Sequence, residues 1–100
     1  VDEEVKRKAN IIEEYIMKNI ISRDSRLSYR GIGFIWGVDF NKIDSKLAIE
    51  AVHKCFDNGV ILEVAVRKDG VLKIMPPLTI QDDILIEGLE IVKNVISQIL

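Results

Sequence analysis

Apolar residues recur along the chain with two different rhythms. Val5, Ala9, Ile12, Ile16 and Ile20 are spaced by four and three, the stripe of an amphipathic helix. Asp2, Glu3 and Glu4 put negative charge in its first turn, where it complements the helix dipole. Ser22-Arg23-Asp24-Ser25 is a polar break, and Leu27-Ser28-Tyr29-Arg30 then leads into Gly31-Ile32-Gly33. From Phe34 to Phe40 the rhythm becomes two. Phe34, Trp36, Val38 and Phe40 alternate with Ile35, Gly37 and Asp39, which predicts a strand with one strongly apolar face.

The helical rhythm returns in Ala48, Ala51, Val52 and Cys55, with Asp44 or Ser45 as N-cap and Asn58-Gly59 as a left-handed stop. Val60 to Val66 and Val71 to Met75 are short β-branched runs, and Lys68-Asp69-Gly70 between them signals a tight hairpin. Pro76-Pro77 ends the second run, because proline donates no hydrogen bond to a ladder. Thr79 followed by Asp82 resembles a capping box for a last helix, with Leu85, Leu89, Val92, Ile96 and Ile99 on its inner stripe. The predicted order is helix, strand, helix, strand, strand, helix. Such an order folds as an α+β two-layer sandwich, a small, mostly antiparallel sheet covered by helices on one face.

Composition narrows the function. The chain's 100 residues make one domain over 1–100, and 48% hydrophobic with 30% charged residues describes a globular chain rather than a disordered one. A formal charge of −2 argues against nucleic acid as the partner, since phosphate binding needs clustered positive charge. No apolar run reaches membrane-spanning length, and no secretory signal pattern opens the chain, so no membrane partner is expected. A lone Cys55 cannot form an internal disulfide, which suits a reducing, cytoplasmic setting. With one His and one Cys, a Cys/His zinc site is not expected. The charged start without Met reads as a piece of a longer protein.

Few residues carry chemistry of their own. Gly31-Ile32-Gly33 precedes a strand, whereas a dinucleotide-binding loop follows a strand and opens a helix, so a turn or bulge is expected there. His53 and Cys55 lie two apart on a helix and point in different directions, which disfavours a catalytic pair. Asp82 and Asp83 read as helix N-terminal charges, and Arg23, Arg26 and Arg30 as a modest basic cluster. Lys73, between Leu72 and Ile74 and three positions before Pro76, either faces solvent or reaches into a cleft at the sheet's end.

Taken in order, three stretches are similar to the small domain of class III aminotransferases. Arg30 to Phe40 resembles the segment that opens that domain, Cys55 to Glu63, with Gly59-Val60-Ile61-Leu62-Glu63, its strand after a helix, and Val71 to Ile80 its Pro-Pro segment. Asp82 to Val92, with Glu87-Gly88-Leu89, resembles the family's closing helix. The resemblance covers roughly residues 10 to 100 and leans towards diaminobutyrate–2-oxoglutarate aminotransferases. It implies the C-terminal small domain of a fold type I enzyme dependent on pyridoxal phosphate (PLP). The large domain that binds PLP would be absent here, and no cofactor or catalytic residue is expected on this chain.

Relatives acting on ornithine or 4-aminobutyrate carry Arg where this chain has Lys73, and that Arg holds a substrate carboxylate. The diaminobutyrate group tends to have Lys. Lys73 is thereby implied as a substrate-binding residue. Val64-Ala65-Val66 departs from the small polar residues usual in that group and puts the amino donor in doubt. The implied partners are the large domain, an amino acid and a 2-oxo acid, within a homodimer. The alternatives are a class III enzyme for ornithine or 4-aminobutyrate, or a stand-alone α/β ligand-binding or regulatory module. An exposed apolar patch near Phe34, Trp36 and Met75 is expected where the large domain would dock.

Overall fold

The computed structural model describes residues 3–67, 69–77 and 79–100. Helix α1 (Glu3–Tyr15) widens into a π segment, Ile16–Ile20, and tightens into a 3-10 turn, Ile21–Arg23. Residues four apart in an α-helix drift about 40° around its axis at each step. The wider turn brings Ile16 and Ile20 back into line with Ile12, and all three are fully buried. The sheet follows as β1 (Ser28–Ile32) and β2 (Ile35–Asp39), then α2 (Leu47–Asp57), β3 (Glu63–Val66), β4 (Val71–Met75) and α3 (Asp82–Ile99).

The sheet is four-stranded in the order β1-β2-β4-β3, and every neighbouring pair is antiparallel. One strand more than the apolar rhythm predicts is present. Ser28–Ile32 is an edge strand whose alternation is diluted by Ser28, Arg30 and Gly31. Gly33 and Phe34 form the loop that joins it to β2. Gly33 has φ +59, the left-handed value required at the first central position of a tight hairpin.

Trp36, Val38, Leu72, Ile74 and Val64 share one sheet face and merge with Ile12, Ala51, Cys55, Leu85, Leu89 and Ile96 from the helices. Each Val, Leu or Ile among them contributes roughly 1.5–3 kcal/mol on leaving water, and together these side chains hold the two layers. α2 ends as expected at Asn58-Gly59. Gly59 has φ +71, Gly59 N donates to Phe56 O (3.1 Å), and Val60 N donates to Cys55 O (3.0 Å), a Schellman closure. At its start neither Asp44 nor Ser45 is the N-cap: the cap position is Lys46, and Asp44 accepts the Lys46 N–H at 2.9 Å in the turn before the helix. α1 and α3 are clasped by Arg7, whose guanidinium donates to both carboxylate oxygens of Asp82, at 2.7 and 3.1 Å. Lys8, buried beneath them, donates its ammonium to the Ile80 carbonyl.

Three local expectations change. β3 begins at Glu63 rather than Val60, because the Schellman turn carries residues 60–62 towards α3, where Leu62 packs against Gly88. The capping box does not form: α3 starts after Gln81, and Ile80 N bonds to Pro77 O in a separate turn, leaving Thr79 outside the helix. Phe34 and Trp36 are 7% and 4% exposed, so the expected apolar patch is not built from them. The Gly70 corner of the second hairpin stands, with φ +78 and its N–H on Arg67 O at 3.1 Å, while Lys68 lies outside the described residues.

Candidate functional site

The sheet face turned away from the helices places the chemistry. The ladders set Arg30 opposite Gly37, Gly37 opposite Lys73, and Lys73 opposite Ala65. One row therefore reads Arg30, Gly37, Lys73, Ala65 across four strands, with its side chains on the open face. The row beside it includes Asp39 and Val71. Gly37 contributes no side chain, and Val71 leans over it: a Cβ there would stand 2.8 Å from Val71 Cγ1. The result is a cleft of about 290 Å³ with Gly37 as its floor, bounded by Arg30, Lys73, Arg67 and Val71.

Three cations border this cleft. Lys73 is half-buried, and among the described residues no carboxylate lies within ion-pair distance of its ammonium. Arg30 and Arg67 both approach Asp69, at 4.0 and 3.8 Å. Those distances exceed a charge-assisted hydrogen bond, and one carboxylate is shared by two guanidinium groups. Asp39, one row over, directs Oδ1 to the N–H and Nδ2 of Asn41. The residues lining the cleft thus carry three cations and no carboxylate, while Asp39 and Glu63 add negative charge elsewhere on the same face. A larger hollow, about 430 Å³, lies along α1 near Arg7, Glu14, Lys18 and Ile86. Its cations are already matched, Arg7 by Glu4 and Asp82 and Lys18 by Glu14, so it offers an anion no comparable charge.

The other sequence candidates separate. Arg23, Arg26 and Arg30 do not form one cluster. Arg23 donates to Asn19 O, and Arg26 forks onto Asp24, holding that carboxyl down at about 2, so only Arg30 reaches the open face. His53 is exposed, while Cys55 is buried and its thiol is pushed up to about 11 by desolvation, the opposite of an activated nucleophile. The Arg7 guanidinium holds Asp82 below the usual carboxylate range, while Asp83 accepts the Ile84 N–H at 2.9 Å, so the two adjacent carboxylates serve different partners. Among the described residues no three His, Cys, Asp or Glu side chains come together to hold a metal, and no helix is long and apolar enough to cross a membrane. Sequence reading singled out Lys73 but missed that Arg30, Gly37 and Arg67 surround it. Period-two alternation could have put Arg30, Gly37 and Lys73 each on the polar face of its strand, but not the pairing that sets them side by side.

No family model matches the chain. It is 35% identical over 100 residues to a diaminobutyrate–2-oxoglutarate transaminase of Halomonas elongata, covering 97% of this chain and 23% of that protein. Among solved structures it superposes on an acetylornithine aminotransferase from Elizabethkingia anophelis with TM-score 0.79 and 22% identity, over 96% of this chain and 25% of the other. A PMP-bound aminotransferase from Vibrio fluvialis matches with TM-score 0.77 and 20% identity, over 97% of this chain and 23% of that one. The structural likenesses establish the fold. The chain spans about a quarter or less of the length of these relatives.

Proposed function

Since the chain belongs to the class III aminotransferase family, as a stretch about a quarter of its members' length, we propose that it is the small domain of a PLP-dependent transaminase. In that role it walls one side of the substrate cleft. The amino group moves between diaminobutyrate, or a similar diamino or ω-amino acid, and 2-oxoglutarate. The observation that carries this reading is Lys73: a half-buried ammonium without a described counter-charge, on an open sheet face, beside a glycine floor. Such a cation binds a carboxylate, and both substrates of the reaction carry one.

The described residues offer PLP no cradle of their own. Gly31 and Gly33 belong to a hairpin rather than to the strand-to-helix turn that wraps a phosphate. The buried Lys8 spends its ammonium on the Ile80 carbonyl. Cofactor and catalytic lysine are accordingly assigned to the remainder of the enzyme, and this chain's part is to bind and orient. Lys73 presents a point charge where a guanidinium would present a planar fork, so it fixes the carboxylate's position more than its rotation.

The test is Lys73→Ala in the enzyme that contains this chain. Losing one charge-assisted contact costs about 1.5–3 kcal/mol, which raises KM for 2-oxoglutarate roughly ten- to hundred-fold. PLP absorbance should stay unchanged. If kcat and KM for both substrates stay within about twofold of wild type, Lys73 is a surface residue and the assignment is wrong.

A further inference from the structure

We infer that the free edge of β3 is self-complementary, and that two copies of this chain join through it, antiparallel, with Ala65 opposite its own copy. The two four-stranded sheets then continue as one. This joint does not depend on the transaminase reading of Lys73.

β3 stands last in the order β1-β2-β4-β3, so one side of Glu63–Val66 has no neighbouring strand among the described residues. Arg67 N donates to Val71 O, towards β4. Backbone groups alternate sides along a strand, so Val64 and Val66 turn their N–H and C=O to the free edge. The four residues, Glu-Val-Ala-Val, include neither proline nor lysine, two usual guards of such an edge. β1, at the other edge, is unsuited: antiparallel pairing centred on it sets Arg30 against its own copy.

Charge selects the register. A two-fold axis perpendicular to the sheet keeps each face on its own side, so only residues of the same face can stand opposite each other. With Ala65 on the axis, Val64 of each copy exchanges backbone hydrogen bonds with Val66 of the other. Glu63 of each copy then faces Arg67 of the other at the closer, non-hydrogen-bonded position, with Cα atoms about 4.5 Å apart. Glu63 is exposed and forms no ion pair among the described residues, and Arg67 meets Asp69 only at 3.8 Å. Unlike charges therefore meet at both ends, and a shift of two residues either way loses both pairs. The helix side fits the same axis. Val66 and Ile49 are exposed and share a shallow hollow, and Phe56, also exposed, lies two turns further along the same stripe of α2. α2 packs over both β3 and β4, about one strand spacing in from the edge, so the α2 helices of the two copies run side by side about 10 Å apart, the spacing of packed helices.

Sedimentation equilibrium of the 100-residue chain, which closes a core of its own, reads the association. Wild type should form a dimer. Glu63→Arg and Arg67→Glu each set like charges against one another at both ends, and each should weaken the dimer at least about tenfold while far-UV circular dichroism stays unchanged. An equimolar mixture of the two variants restores both unlike pairs and should associate as tightly as wild type. The proposal is overturned if wild type remains a monomer at about 1 mM, which would leave the edge to another part of a longer protein. It is equally overturned if either variant dimerises as wild type does, which would place the contact elsewhere on the surface, or if the mixture associates no better than its components.

Discussion

Gly31→Ala should be strongly destabilising although it adds a single methyl group. Its Cβ would stand 2.3 and 2.4 Å from Cε3 and Cδ2 of Trp36 and 2.8 Å from the Ile35 carbonyl oxygen. The indole cannot slide away freely. Nε1–H donates to Gly33 O at 2.7 Å, the ring stacks on Tyr29 with centroids 6.3 Å apart, and the residue is 4% exposed. Forcing a methyl into a packed site costs about 1–3 kcal/mol. Displacing the indole from its acceptor adds about 1 kcal/mol or more. Restricting the unfolded chain returns only about 0.4–1 kcal/mol. The net loss is about 1–4 kcal/mol, a large share of the roughly 5–15 kcal/mol that holds a typical domain.

Urea unfolding measures this loss directly, because Trp36 is the single tryptophan and reports on the site itself. The midpoint should fall by about 1–2 M, with the native emission shifted. In a Trp36→Leu background, with unfolding followed by far-UV circular dichroism, the same Gly31→Ala change should cost at least about 1 kcal/mol less, since the clashing ring is gone. A midpoint unchanged within about 0.3 M, with native emission intact, would refute the packing argument.

Gly88→Ala should lower Tm, although alanine ordinarily favours a mid-helix position by about 1 kcal/mol. Its Cβ would meet Leu62 Cγ at 2.5 Å, and a calorimetric Tm that rises instead would refute the close approach of α3 to residues 60–62. For Cys55, burial raises the thiol from 9.0 to about 11, so its contribution to stability is complete below 9 and is lost as pH climbs towards 11. That loss is roughly 2–3 kcal/mol. Tyr15, through burial, and Tyr29, through its bond to Glu13, are also raised and act in the same direction. The reading is therefore the difference in alkaline slope of the urea midpoint between wild type and Cys55→Ala, and equal slopes would contradict it.

How much of this was legible in the sequence depended on whether the information was local. α2, β4 and α3 announced themselves through periodicity, and the Gly59 and Gly70 corners through residues that tolerate positive φ. β1 was hidden because an edge strand needs little apolar patterning, and Arg30 and Gly31 dilute what Tyr29 supplies. Thr79 and Asp82 matched a capping box by spacing, yet the Pro77–Ile80 turn uses the backbone first. Phe34 and Trp36 looked like docking residues, but alternation alone does not say which face the helices cover. Lys73 could be singled out from one strand and the family resemblance. Its neighbour Arg30 could not, because only the register of β1 on β2 and of β2 on β4 brings it there from a distant part of the chain, whereas Arg67 lies in Lys73's own hairpin and was passed over.

The central seam of the sheet carries a consequence for assembly. β1 with β2, and β3 with β4, are joined by short turns and can pair as soon as they meet, while β2 finds β4 only across the chain between Asp39 and Val71. Closing a loop of about 30 residues costs about 3 kcal/mol of chain entropy before any seam contact forms. Isolated hairpins are marginal in water, so neither half of the sheet persists while the other is missing. Gly37 and Lys73 face each other across this seam. The open-face cleft thus comes into being with the slow, non-local step of folding, and its presence distinguishes the completed domain from every partly assembled one.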